Sequence, residues 1–261
     1  MELGIGHRRA LVGGASAGLG LASAVALARE GCQVAIVSRS ANRLRKALEA
    51  FPAGAAVVPI AADLATTEGL SACLAAADAW GPVDILVNNT GGPPAGRSFD
   101  HDDAAWQRAS DSLLRYVRRM CEHVVPGMRS RRWGRIITIT SLTVKEPAVN
   151  LVLSNVFRAA VTAYLKGLAR EVAPDGITVN TVLPGAYHTA RYDELIENTV
   201  RQSGRSREAV TQEWLARLPQ GRFQKPEELG ALVAFLASEQ AAAITGAAIP
   251  AEGGMLQGLL S

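Results

Sequence analysis

The chain has 261 residues, 48% hydrophobic and 20% charged, a composition that fits one large globular domain with ample material for a core. A net charge of +3 from 27 basic and 24 acidic residues, with aromatics at 5%, argues against nucleic acid as a partner and against base-stacking platforms. No apolar run reaches membrane-spanning length and the first strand starts within ten residues of the N-terminus, so a cytoplasmic protein without signal peptide or membrane partner is expected.

In chain order, a short apolar strand over 10–12 breaks into Gly13-Gly14-Ala15-Ser16-Ala17-Gly18-Leu19-Gly20, and an Ala-rich helical pattern continues to Glu30. A strand, a glycine turn and a helix N-terminus form a dinucleotide cradle. The glycines let the backbone approach a pyrophosphate, and the helix start offers free N–H donors. The spacing Gly14-x-x-x-Gly18-x-Gly20 differs from the commoner G-x-G-x-x-G, and an ordinary strand-helix turn is the competing reading.

Gln33–Ser38 reads as a second strand and 41–51 as a helix with Leu44, Leu48 and Phe51 on one face. A third strand covers 56–61, where Pro59 points to a sheet edge. Thr66 or Thr67 caps a helix running to Trp80, and 83–88 is the fourth strand. A long helix over 102–131 is expected to be interrupted near Pro126, and the basic run Arg129-Ser130-Arg131-Arg132 suits its C-terminal end. The fifth strand is 135–140, 151–173 is helical, and the sixth strand is 177–183. Polar helices occupy 193–202 and 207–218, another helix opens at Pro226, and a seventh strand covers 246–250.

Near-continuous apolar strands alternating with helices mean a parallel sheet covered on both faces. The expected fold is a single-domain, Rossmann-type, doubly wound α/β structure of about seven strands, with ligands at the carboxyl ends of the strands. The three cysteines (Cys32, Cys73, Cys121) and four histidines are scattered. They read as buried thiols with no disulfide framework, and no metal site is expected.

Gly14-x-x-x-Gly18-x-Gly20, Asp63-Leu64, Asn88-Asn89-Thr90-Gly91, Ser141 and Pro184-Gly185-x-x-x-Thr189 stand in one order and spacing. With Gly221-Arg222-Phe223-x-Lys225-Pro226-Glu227-Glu228 and Ile244-Thr245-Gly246, they resemble the short-chain dehydrogenase/reductase family over essentially the whole chain. The resemblance implies that Gly14, Ser16, Gly18 and Leu19 meet the pyrophosphate and adjacent ribose. It places Asp63 and Leu64 at the adenine, Asn89 and Gly91 beside the nicotinamide ribose, and Tyr187 and Thr189 at the carboxamide. Gly13 and Thr90 stand where that family has Thr and Ala. At the end of the second strand Ser38-Arg39 replaces an acidic residue. This favours NADP(H) over NAD(H), because a guanidinium suits a 2′-phosphate, the competing reading being that Arg39 only stacks on adenine or caps a surface loop.

The same family joins Asn, Ser and a Tyr-x-x-x-Lys pair in its active site. Here Ser141 matches, but the counted positions of the other three fall on Leu113, Ser154 and Arg158. The implied catalytic set is therefore Ser141, Ser154 and Arg158, with Tyr187, His188 and Tyr192 as further candidates for the proton. Two functions stay open. One is an atypical oxidoreductase passing hydride between NADP(H) and a small carbonyl or alcohol. The other is a nucleotide-binding protein of the same fold that performs no dehydrogenation. The segment 187–218 is expected to form a substrate lid, and a homodimer or homotetramer is implied.

Overall fold

The computed structural model describes residues 2–259. In chain order the elements are β1 (Arg9–Val12), α1 (Gly18–Arg29), β2 (Gln33–Ser38), α2 (Ala41–Ala47), β3 (Val57–Ala61), α3 (Thr67–Trp80), β4 (Ile85–Asn88), α4 (Asp103–Ser110), α5 (Tyr116–Arg131), β5 (Gly134–Ile139), α6 (Val152–Val172), β6 (Ile177–Pro184), α7 (Ala190–Ser203), α8 (Arg207–Ala216), α9 (Pro226–Ala237) and β7 (Ala248–Ala251). All seven strands lie parallel in the order β3-β2-β1-β4-β5-β6-β7. The doubly wound α/β expectation holds.

Strand alternation sorts the core into two layers. Leu11, Ala35, Val37, Leu86, Ile136 and Val179 face α3, α5 and α6. Ala10, Val12, Val34, Ile36, Val87 and Ile137 face α1 and α9. Such burial on both faces requires strands without polar alternation, and β5 and β6 are buried at every position. Helices α1 and α9 approach so closely that a Cβ on Gly230 would lie 2.6 Å from the Ala22 carbonyl oxygen.

Several local readings hold to the residue. Thr66 caps α3 by accepting from the Gly69 N–H, and β3, with Pro59, is an edge strand pairing only with β2. The helix over 102–131 corrects the sequence reading. Pro126 sits inside an unbroken α5, because Pro126 and Glu122 both face solvent, so the carbonyl that loses its partner is hydrated. The irregularity lies earlier, in a π-helical turn at Asp111–Arg115. Helix α5 ends at Arg131, with Arg129 paired to Glu171 and Asp175.

Candidate functional site

The glycine turn after β1 is held from two sides. Gly13 N–H donates to Val87 O at 2.9 Å and Ala15 N–H to Val37 O at 3.1 Å, tying the turn to β4 and β2. Gly14 and Gly18 have φ of 57° and 58°, a region that only glycine enters cheaply. At Gly20 the reason is contact: a Cβ there would lie 2.4 Å from Gly14 O. Helix α1 starts with no side-chain cap and no acidic residue in its first turn. Its first N–H groups therefore stay available to an anion.

The neighbouring strand ends supply polar groups. Ser38 Oγ and Ser16 Oγ are hydrogen-bonded at 3.0 Å, and Arg39 is exposed beside them. Asp63 Oδ1 accepts the Ala65 N–H at 3.0 Å, which fixes the loop carrying Leu64. Arg115, from the π turn, donates to Ala65 O at 2.8 Å and to Thr67 Oγ1 at 2.9 Å. Asn89 Nδ2 donates to Gly14 O at 3.2 Å and to Gly13 O at 3.4 Å. Its backbone N–H donates to the Tyr116 hydroxyl at 3.1 Å. Thr189 approaches from β6, its Cγ2 lying 3.5 Å from a Cβ built on Gly18.

At the end of β5, Ser141 Oγ accepts the Thr143 N–H at 3.1 Å and caps a short 3₁₀ turn. Ser154 and Arg158 lie one turn apart on α6, both buried. Arg158 Nε donates to Ser154 Oγ at 3.2 Å, and Arg158 Nη1 donates to Ile139 O at 3.2 Å, two residues before Ser141. Arg158 also lines a cavity of about 10 Å³ with Asn88, Asn89, Thr90, Leu113 and Tyr116. Leu113, an aliphatic side chain, thus shares the wall of this cavity with Arg158.

The segment after β6 is anchored at both ends. A Cβ on Gly185 would lie 2.7 Å from Glu252 Cα, and His188 N–H donates to Gln224 O at 2.9 Å. Tyr187 is buried against the α1 and α9 layer. Tyr192 meets Phe223 at 4.9 Å and Trp214 at 5.2 Å edge-on, and His188 stacks on Phe223. Desolvation pushes both the Tyr187 and Tyr192 phenols up to about 12. That is the wrong direction for a group exchanging protons near neutrality.

Gly14, Ser16, Gly18, Asp63, Asn89 and Thr189 all follow the carboxyl ends of parallel strands, on one edge of the sheet. Leu19 lies in the first turn of α1 and Gly91 in the loop after β4, with open space beside the Gly91 Cα. Nothing in the sequence pattern marks Tyr116 or Arg115 directly. The available signal in the sequence is Gly13 itself, standing where the family has Thr; its φ is not positive, so its lack of a side chain needs a reason in space.

Glycine turn, uncapped helix start and polar strand ends are those of a Rossmann-type site, and the chain as a whole is of the short-chain dehydrogenase/reductase class. The sequence model of enoyl-(acyl carrier protein) reductase matches residues 14–256, and the chain belongs to that family. The 3-oxoacyl-[acyl-carrier-protein] reductase FabG of Vibrio cholerae is 34% identical over 94% of this chain and 96% of its own. The structure of L-sorbose reductase from Gluconobacter frateurii, complexed with NADPH and L-sorbose, superimposes with a TM-score of 0.93 at 34% identity, covering 99% of this chain and all of that one. Actinorhodin polyketide ketoreductase with NADPH gives 0.90 at 33%, covering 95% and 97%.

Proposed function

We propose that the chain is an NADP(H)-dependent oxidoreductase of small carbonyl or alcohol substrates, an atypical member of its family in which Ser154 and Arg158 replace the usual Tyr and Lys. One observation carries the cofactor half. The uncapped start of α1 lies over a glycine turn that a Cβ would fill, next to the Ser16–Ser38 hydroxyl pair and the exposed Arg39. These donors fit a pyrophosphate and a 2′-phosphate. Gly14, Ser16, Gly18 and Leu19 would hold the pyrophosphate side, Arg39 the 2′-phosphate, and Asp63 and Leu64 the adenine. Asn89, Gly91, Tyr187 and Thr189 would line the nicotinamide side. NADPH in the L-sorbose reductase and ketoreductase complexes supports this reading.

A bound nicotinamide would supply or accept the hydride. Ser141 donates a hydrogen bond to the substrate oxygen. Ser154 accepts from Arg158 Nε, which leaves its own O–H to give the proton that the alkoxide formed by hydride addition needs. A proton from solvent restores the serine; in the oxidation direction both transfers reverse. Arg158 stays protonated and stabilises developing negative charge without relaying a proton. Helices α7 and α8, within 187–218, cover the substrate, and two or four copies assemble.

A second reading, dinucleotide binding without hydride transfer, is favoured by the same Ser154–Arg158 pair, since an aliphatic hydroxyl is far less acidic than a phenol. Two experiments separate them. Fluorescence titration should show NADPH binding more tightly than NADH, with Arg39→Ala weakening NADPH the more; equal loss for both cofactors would remove the phosphate assignment. A carbonyl panel should oxidise NADPH at a rate that Ser141→Ala lowers. Saturable binding with no turnover across the panel selects the second reading.

A further inference from the structure

We propose that Tyr116 is a positioning residue of the dinucleotide site, its hydroxyl taking the place of the side chain that Gly13 lacks. The proposal rests on the cofactor reading above. Gly13 has no conformational need to be glycine, because its φ is not positive. Its neighbours explain it: a Cβ there would lie 2.5 Å from the Tyr116 hydroxyl and 3.0 Å from Asn89 O. The space beside the first residue of the turn is occupied by a phenol from a different element.

That phenol is fully buried and accepts the Asn89 N–H at 3.1 Å. Asn89 in turn holds both Gly13 O and Gly14 O through its side chain. The order of dependence is therefore Tyr116 to Asn89 to the glycine turn. Burial pushes the Tyr116 phenol well above its usual range, so it serves as a neutral hydrogen-bonding group.

A second observation points the same way. Thr90 Oγ1 donates to Ser112 O at 3.2 Å, inside the π turn that ends immediately before Tyr116. An extra residue in a helix rotates all later side chains by about 100°, so this turn sets the direction in which Tyr116 points. Gly13 and Thr90 are the two cofactor-side positions that depart from the family's pattern. Both are met by residues of one stretch, Ser112 and Tyr116.

The test combines Tyr116→Phe, Gly13→Thr and the double variant, read by thermal melting of the unliganded protein and by NADPH fluorescence titration. Tyr116→Phe strands the Asn89 N–H and should weaken NADPH binding about tenfold. Gly13→Thr alone should lower both Tm and affinity, because the phenol blocks it. The double variant should recover part of both, since loss of the phenol oxygen removes the 2.5 Å contact and leaves only the tighter-than-usual 3.0 Å approach to Asn89 O, while the introduced hydroxyl can accept from Asn89. A purely structural Tyr116 would leave affinity unchanged in Tyr116→Phe, and that result overturns the proposal. So does Gly13→Thr being equally harmful with Tyr or Phe at 116. A parent chain that binds neither NADPH nor NADH removes the cofactor reading and the positioning role with it. Parent binding alongside an unaffected Tyr116→Phe variant removes the positioning role alone.

Discussion

Arg158 Nε donates to Ser154 Oγ across one turn of α6 at 3.2 Å, while Arg158 Nη1 reaches Ile139 O at the same distance. The guanidinium thus joins α6 to the end of β5, two residues before Ser141. Both partners are buried, so the arrangement is stiff and its loss leaves polar groups without water. Arg158→Met should lower unfolding stability by about 2 kcal/mol in chemical denaturation, and Ser154→Ala by about 1 kcal/mol. A double-mutant cycle should give a coupling above about 0.5 kcal/mol; simple additivity would mean that the bond contributes nothing.

Gly185 turns the chain away from β6 against Glu252, whose Cα would be 2.7 Å from an added Cβ. The obstacle is backbone, so it cannot rotate aside. Gly185→Ala should cost about 1–3 kcal/mol of stability and displace Tyr187 and Thr189 together. Thermal melting and NADPH titration should both register it, and an unchanged melting curve would refute the contact.

Arg207 of α8 pairs with Asp193 at 2.8 Å and with Glu197, both on α7, across the turn at Gly204 with its φ of 67°. The pairs are solvent-exposed and salt-sensitive. Arg207→Ala should speed proteolytic cleavage between α7 and α8 with little change in global Tm. High salt should produce the same acceleration in the parent chain. Equal cleavage rates in parent and variant would show that Arg207 does not hold the two helices.

The thiols give a pH prediction. Burial is the leading cause that raises Cys32 to about 12, Cys73 to about 11 and Cys121 to about 12, from an ordinary value of 9.0. A group raised in the folded state stabilises fully below its unfolded pKa, and that stabilisation is lost as pH rises through the folded value. Stability should therefore fall from about pH 9 upward, measured by denaturant titration. Cys→Ala variants should flatten the slope. A thiol reagent at pH 8 should label the folded chain only as it opens.

Much of this molecule is legible in its sequence. Strand residues such as Ile136 and Val179 sit in apolar runs bounded by glycine and polar turns, a local pattern that survives burial from either side. The Thr66 cap and the edge position of β3 were readable because a single hydroxyl or a missing N–H acts within a few residues. Pro126 misled for a related reason: its cost depends on whether the freed carbonyl is hydrated, which the sequence does not state.

Residue type and short spacing alone give the order of strands and helices, the glycine turn and a Ser154–Arg158 pair one helical turn apart. Only the tertiary structure decided that Arg158 reaches Ile139, that Tyr187 and Tyr192 lie where desolvation opposes ionisation, and that Tyr116 fills the space beside Gly13. Arg158 and Ile139 are 19 positions apart in the chain, and Tyr116 lies on a different element from Gly13 altogether. Their contact depends on how parallel strands bring distant turns to one edge, and on a π turn that no residue pattern announced.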